Sequence, residues 1–209
     1  MRVTHGRVTL ELHEVTQRDG PALLLLHALY ESSASWGEAP AAWPGRVYAL
    51  DFSGHGRSDW LVGGGYYPEM LVADADAALA HIGGAALAGA GIGAYVATLL
   101  AGSRSALVPA ALLLPGAGLA GGGAQPDFNQ PRQPLSPPPH QGCDPMVHVL
   151  DRDARPPDYV EPFARAAKRL LLIEDGAARP PWWEAARGVT RAEVAPAELS
   201  VALARLAAA

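Results

Sequence analysis

At 209 residues, 49% of them hydrophobic and 18% charged, the chain is long enough for one sizeable core and too short for two. Its formal net charge of −5 and the lack of any basic run argue against a nucleic-acid groove or an anionic membrane as the main partner, because both select for clustered Lys and Arg. The single cysteine, Cys143, cannot form an internal disulfide, the N-terminal MRVTHGRVTLELHE lacks the apolar core of a signal peptide, and the longest apolar runs fall short of the roughly 20 residues that span a bilayer, so a cytoplasmic protein is expected.

In chain order, Val8, Leu10 and Leu12 alternate with Thr9, Glu11 and His13, the period of a half-exposed strand. Short apolar runs follow at 22–27, 46–51, 85–90, 107–114 and 170–174, which suit strands covered on both faces. Between them, Leu71, Ala75, Ala78, Leu79 and Ile82 recur at helical spacing, and 92–101 and 196–206 are rich in Ala and Leu. Strands separated by crossover helices predict an α/β fold. Its mostly parallel central sheet is flanked by helices, in one domain over 1–209, with ligands at the carboxyl ends of the strands.

One segment breaks this rhythm. From 116 to 157 glycines cluster (GAGLAGGGA) and prolines follow (QPRQPLSPPPHQ) with no sustained period, which predicts an irregular lid or loop insertion. The chain then recovers with a short helix near 158–169, a strand, the Trp182 and Trp183 pair at a helix start, a weak strand at 189–194 and a closing helix. The two tryptophans are expected to pack in the core or the lid.

Three pieces of sequence point to one family. LLLLHALYESSASW resembles a strand ending in the His-Gly loop that supplies half of an oxyanion hole. RVYALDFSGHGRSDW resembles the next strand with its Asp-x-x-Gly-x-Gly-x-Ser loop, and GAGIG stands in the place of the Gly-x-Ser-x-Gly nucleophile elbow. In this order and spacing they resemble the α/β-hydrolase superfamily, strongly over 20–114 and weakly after Arg169. The resemblance implies a nucleophile at position 91, an acid after a late strand and a base histidine after the last one.

Against that pattern the chain is depleted. Gly91 accepts the sparsely populated backbone of an elbow but brings no attacking oxygen. No histidine follows His148, so the base is absent. The acid position aligns with Ala177 or Ala178, and Asp175 is a less natural substitute. Ordinary ester or amide hydrolysis is therefore not expected. The resemblance still places the backbone amides of Leu29 and Ile92 at the former oxyanion hole, where main-chain donors survive the loss of the serine, and Ile92 opens a helix whose amino end favours an anion. His27, Tyr30, Glu31, Trp36, His55 and Tyr95 are expected around the same mouth, His27 more as a structural histidine than as a base.

His140, Cys143 and His148 offer too few ligands for a structural zinc site, and a free loop thiol is expected in place of a Cys143 nucleophile. Neither a cofactor nor a metal is expected. Two functions lead, both with a small-molecule or peptide partner, ahead of a third, hydrolysis through Cys143 or an unrecognised serine as a non-standard nucleophile. In one, the fold performs a non-hydrolytic tailoring reaction on a natural product, an epimerase- or isomerase-type proton transfer or a cyclisation. In its missing nucleophile and base the chain resembles the peptide epimerase of bottromycin biosynthesis. In the other, the pocket binds without turnover.

Overall fold

The computed structural model describes residues 1–63, 65–119, 142–151, 155–176, 179–189 and 192–208. Its strands are β1 Arg2–His5, β2 Val8–Thr16, β3 Leu23–Leu26, β4 Val47–Leu50, β5 Ala86–Ala90, β6 Ala111–Leu114, β7 Leu170–Ile173 and β8 Ala192–Ala195. The helices are α1 Pro68–Ile82, α2 Ile92–Ser103, α3 Glu161–Ala166, α4 Pro181–Arg187 and α5 Leu199–Ala207. Together the strands form one eight-stranded sheet in the order β1-β2-β4-β3-β5-β6-β7-β8. Only the β1–β2 and β2–β4 pairs are antiparallel; every pair from β4–β3 to β7–β8 is parallel.

The apolar runs form the centre of the sheet because both faces are covered. Leu24, Leu26, Leu87, Leu113 and Leu172 point into a core shared with Leu79 of α1, Leu99 of α2, Ala164 of α3 and Trp183 of α4. Leu23, Leu25, Ala88, Leu112 and Leu171 point the other way, onto Trp36, Trp43 and the Leu203 and Leu206 stripe of α5. This is the period-two alternation of a strand with each face buried. α1 begins on Pro68, whose missing N–H is not needed there, and ends on Gly83 in the left-handed conformation (φ +88°).

Four differences from the sequence expectation have local causes. β1 escapes the pattern because only Val3 of its four residues is buried. The segment expected to be irregular contains a 3-10 helix, Pro145–Asp151, started by Asp144, whose Oδ1 accepts the Met146 N–H at 2.9 Å just before a proline. The helix expected at 158–169 splits into a 3-10 turn, Pro157–Val160, and the six residues of α3. The weak strand expected at 189–194 is β8, begun later; residues 190 and 191, like most of the glycine- and proline-rich stretch (120–141 and 152–154), lie outside the described residues. Among the described residues no helix is long and apolar enough to cross a membrane.

Candidate functional site

β5 runs through Ala90 into Gly91, and α2 starts at the next residue, so the chain reverses over a single position. Gly91 holds φ +53° and ψ −118°, a conformation that side chains rarely adopt. The start of α2 also lies against β3 so closely that a Cβ on Gly93 would stand 2.1 Å from the Leu26 carbonyl oxygen. The strand–turn–helix unit is thus built around glycines whatever the turn does chemically.

Two backbone amides converge above this turn. Leu29, after β3, and Ile92, at the amino end of α2, donate to the same atom, the carbonyl oxygen of Ala117, at 3.1 Å and 2.9 Å. Ala117 belongs to a short strap, residues 115–119, that leaves β6 and crosses over the turn. The Gly91 N–H donates to the Leu114 carbonyl at 3.0 Å, and Leu119 donates to Leu150 at 2.7 Å, so both ends of the strap are tied. A Cβ on Gly91 would lie 2.1 Å from the Ala117 oxygen, well inside contact distance. The cavity left beside Gly91 measures about 10 Å³, space for one water. Larger cavities lie elsewhere: about 360 Å³ at the amino ends of β3, β5 and β6 around Trp43 and Leu107, and about 470 Å³ beside β8.

No protein-family model matches the chain, and no curated protein does. Solved structures match over nearly its whole length. The thioesterase domain from the curacin biosynthetic pathway superposes with a TM-score of 0.70 at 20% identity, covering 100% of this chain and 97% of that one. Est1E from Butyrivibrio proteoclasticus, with ferulic acid bound, gives 0.72 at 14% identity over 98% and 96%. The bottromycin epimerase in complex with bottromycin A2 gives 0.63 at 20% identity over 100% and 95%. The chain has the α/β-hydrolase fold.

Within an α/β-hydrolase frame the elbow, its two amides and the loops after β3 and β4 stand where the sequence motifs put them, but the reacting groups do not. Position 91 has no side chain. After β8 the chain passes directly into α5 with no histidine. Ala177 and Ala178 lie outside the described residues, and Asp175, half exposed, forms an ion pair with Arg179. The two amides were expected as donors for a ligand; in this structure they serve the Ala117 carbonyl, a contact that nothing in the sequence announces.

The expected lining residues separate into groups. His27 is fully buried; its Nδ1–H donates to the Ala28 carbonyl at 2.8 Å while Nε2 accepts the Phe52 N–H at 3.1 Å. Both nitrogens are therefore committed to backbone, and burial together with the nearby His55 lowers its pKa to about 3. His55 donates from Nδ1 to the Ser53 carbonyl at 3.1 Å, and burial lowers its pKa to about 4. Its Nε2 has no partner among the described residues. Tyr30 sits half buried with φ +68°, its hydroxyl 3.4 Å from Asp151, and its pKa is raised to about 12 by burial first and by Asp151 second. Glu31 is exposed. Trp36 packs with Leu25 and Trp43 in the core layer on the α5 face, whereas Tyr95 packs on the opposite face, edge-on to Trp182 at 5.1 Å.

Asp51 organises the loops after β3 and β4. It accepts N–H groups from Ser33 at 2.7 Å and Arg57 at 2.9 Å and bonds His13 at 3.1 Å; burial pushes its pKa up, but these donors outweigh burial and hold it below the usual carboxylate range. Cys143 bridges His55 across a short antiparallel contact and is buried; burial and the Asp51 charge push its thiol pKa up, the opposite of what an activated nucleophile needs. His148 turns its Nδ1–H back to the Pro145 carbonyl at 2.7 Å, and His140 lies outside the described residues. Among the described residues no group of three metal-ligating side chains forms.

Trp182 and Trp183, expected in the core or the lid, are buried in the core; sequence reasoning missed Arg179 and the place of all three beside the elbow. Arg179, Trp182 and Trp183 border the small cavity together with Gly91 and Gly116. The Arg179 guanidinium lies over the Trp183 ring at 5.4 Å, and its side chain is 8% exposed. The signal was present in ARPPWW, where two prolines start a helix that carries the indoles inward; what it could not show was the wall they face.

Proposed function

We propose that the chain is a non-hydrolytic α/β-hydrolase-fold protein that binds a small-molecule or peptide ligand at the carboxyl end of its sheet. One observation carries this reading: the two amides that would stabilise a tetrahedral oxyanion both donate to the protein's own Ala117 carbonyl, above a residue with no nucleophile. An oxyanion hole accelerates acyl transfer only when its donors face the developing charge of the substrate. Here they are satisfied before any ligand arrives, and no base stands beside them among the described residues. The two buried histidines are neutral, one is fully bonded to backbone, and the nearby thiol is hard to ionise. Such an arrangement speaks against hydrolysis, and the ligand-binding half of the reading is supported by the likeness to the bottromycin epimerase in complex with bottromycin A2.

A second reading, turnover by proton transfer, is favoured by the whole-chain likeness to the bottromycin epimerase. In that reading the pocket acidifies a substrate carbon by positioning and the substrate's own carboxylate acts as the base, which fits a natural-product tailoring enzyme whose site supplies none. Assays with p-nitrophenyl esters and a fluorophosphonate probe are expected to show neither hydrolysis above background nor covalent labelling; inhibitor-sensitive esterase activity would remove the proposal. Incubation with candidate peptides in heavy water then separates the two readings. Deuterium gained at one carbon supports proton transfer, and saturable binding without exchange supports a binding module.

A further inference from the structure

We propose that the cavity beside Gly91 is a receptor for one carboxylate group, held by Arg179 with the indole N–H groups of Trp182 and Trp183. The proposal rests on the reading of the elbow as a ligand-binding place. Its basis is an imbalance of donors and acceptors. Arg179 Nε, Trp182 Nε1 and Trp183 Nε1 are buried, and none has a hydrogen-bond partner among the described residues. All three belong to residues that line one cavity with Gly91 at the amino end of α2. Each is a donor that cannot accept. Buried N–H groups without acceptors cost stability and call for an explanation, and three carried by the residues that line one cavity point to an acceptor-rich, anionic group.

The charge at this place is also reversed. An α/β-hydrolase sets a carboxylate after the strand equivalent to β7 to orient its histidine; here the positions aligned with that acid are Ala177 and Ala178, and the next residue is Arg179. One edge of the guanidinium is anchored by Asp175 and its face by Trp183, while Nε remains unpaired. A carboxylate has two oxygens, which offer enough acceptor sites for the Arg179 Nε–H and the two indole N–H groups together. The present cavity of about 10 Å³ admits the group only as the strap lifts, because Pro115 and Gly116 form the opposite wall.

N-acetylglycine and its neutral counterpart N-acetylglycinamide test this directly, by tryptophan fluorescence and calorimetry at neutral pH. The acid is expected to bind at least about tenfold more tightly than the amide, as charge-assisted hydrogen bonds to a buried guanidinium require. Arg179→Gln is expected to bring that ratio to about one, and Trp183→Phe, which keeps the ring and removes its N–H, to lower it by roughly threefold. The acid and the amide are titrated on the same preparation, so a partial loss of folded protein affects both alike, and Trp183→Phe carries the test where Arg179→Gln does not fold. A ratio unchanged in these variants, or no saturable binding of the acid to the native chain, overturns the receptor. Esterase activity in the native chain would remove the non-hydrolytic reading instead, and leaves the ratio untouched.

Discussion

A side chain at position 91 competes with the Ala117 carbonyl for the same space, since its Cβ would lie 2.1 Å from that oxygen and 2.6 Å from the Gly116 carbonyl carbon. Restoring a serine there therefore does more than add a hydroxyl. It must expel the strap from two hydrogen bonds, and among the described residues it finds neither a free base histidine nor an open oxyanion hole. Gly91→Ser is expected to lower stability by about 2–4 kcal/mol, from positive-φ strain and overpacking together, and to produce no esterase activity. Urea unfolding and a p-nitrophenyl ester assay on the same preparation check both halves, and a stable variant that hydrolyses the ester refutes them. At this scale the sequence showed the losses clearly, because a missing Ser at 91 and a missing His after 148 are properties of single positions. It hid the Ala117 acceptor and the Arg179, Trp182 and Trp183 donors, because those depend on which loop comes to rest on which.

At the scale of elements, apolar continuity identified β3 to β7, which need only be buried on both faces, and helical spacing identified α1, α2 and α5. It failed for β1, whose single buried valine leaves no pattern, and for the strap, whose glycines favour no conformation over another. The strap's conformation is nevertheless specific. Gly118 has φ +107°, and a Cβ on it would meet the Ile92 Cβ at 2.7 Å and the Leu29 Cβ at 3.1 Å, the two residues whose amides the strap caps. Gly118→Val should therefore lift the strap and release both amides while the sheet stays paired. Two hydrogen bonds at about 1 kcal/mol each correspond to a roughly thirtyfold rise in exchange of the Leu29 and Ile92 amides. Hydrogen–deuterium exchange measures this against Leu87, whose N–H bonds the Ala110 carbonyl at 3.0 Å within the sheet. Equal protection of Leu29 and Ile92 in the native chain and the variant would show that the strap does not gate the site.

Across the whole molecule, the loops that shape the mouth are held by groups whose ionisation is tied to folding. His27 and His55 are buried with pKa values lowered from 6.5 to about 3 and about 4, so the unfolded chain binds protons that the folded chain refuses. Their contribution is intact above pH 6.5 and is lost progressively as pH falls toward about 4. Asp51, lowered by the donors around it, loses its contribution further down in the same direction. Asp74 works against them: burial raises its pKa in spite of bonds from the Ser53 N–H at 3.0 Å, the Ser53 hydroxyl at 2.7 Å and His5 at 3.0 Å, so its protonation relieves a cost as pH falls through that raised pKa, above the ordinary carboxylate range. Between about pH 6 and pH 4.5 the unfolded chain takes up protons at both histidines that the folded chain largely refuses, so the unfolding free energy should fall with pH, at most by about 3 kcal/mol per unit and less by what Asp74 returns. A loss of that order is a large share of a typical stability of about 5–15 kcal/mol, and the protein is expected to be markedly less stable in mild acid than at neutral pH. His55→Gln removes one of the two titrating groups and should halve the slope, a change that urea midpoints measured across this range at constant ionic strength resolve. A slope unaltered by the substitution would mean that the acid sensitivity resides in the carboxylates, and that the loops after β3 and β4 are not what fails first.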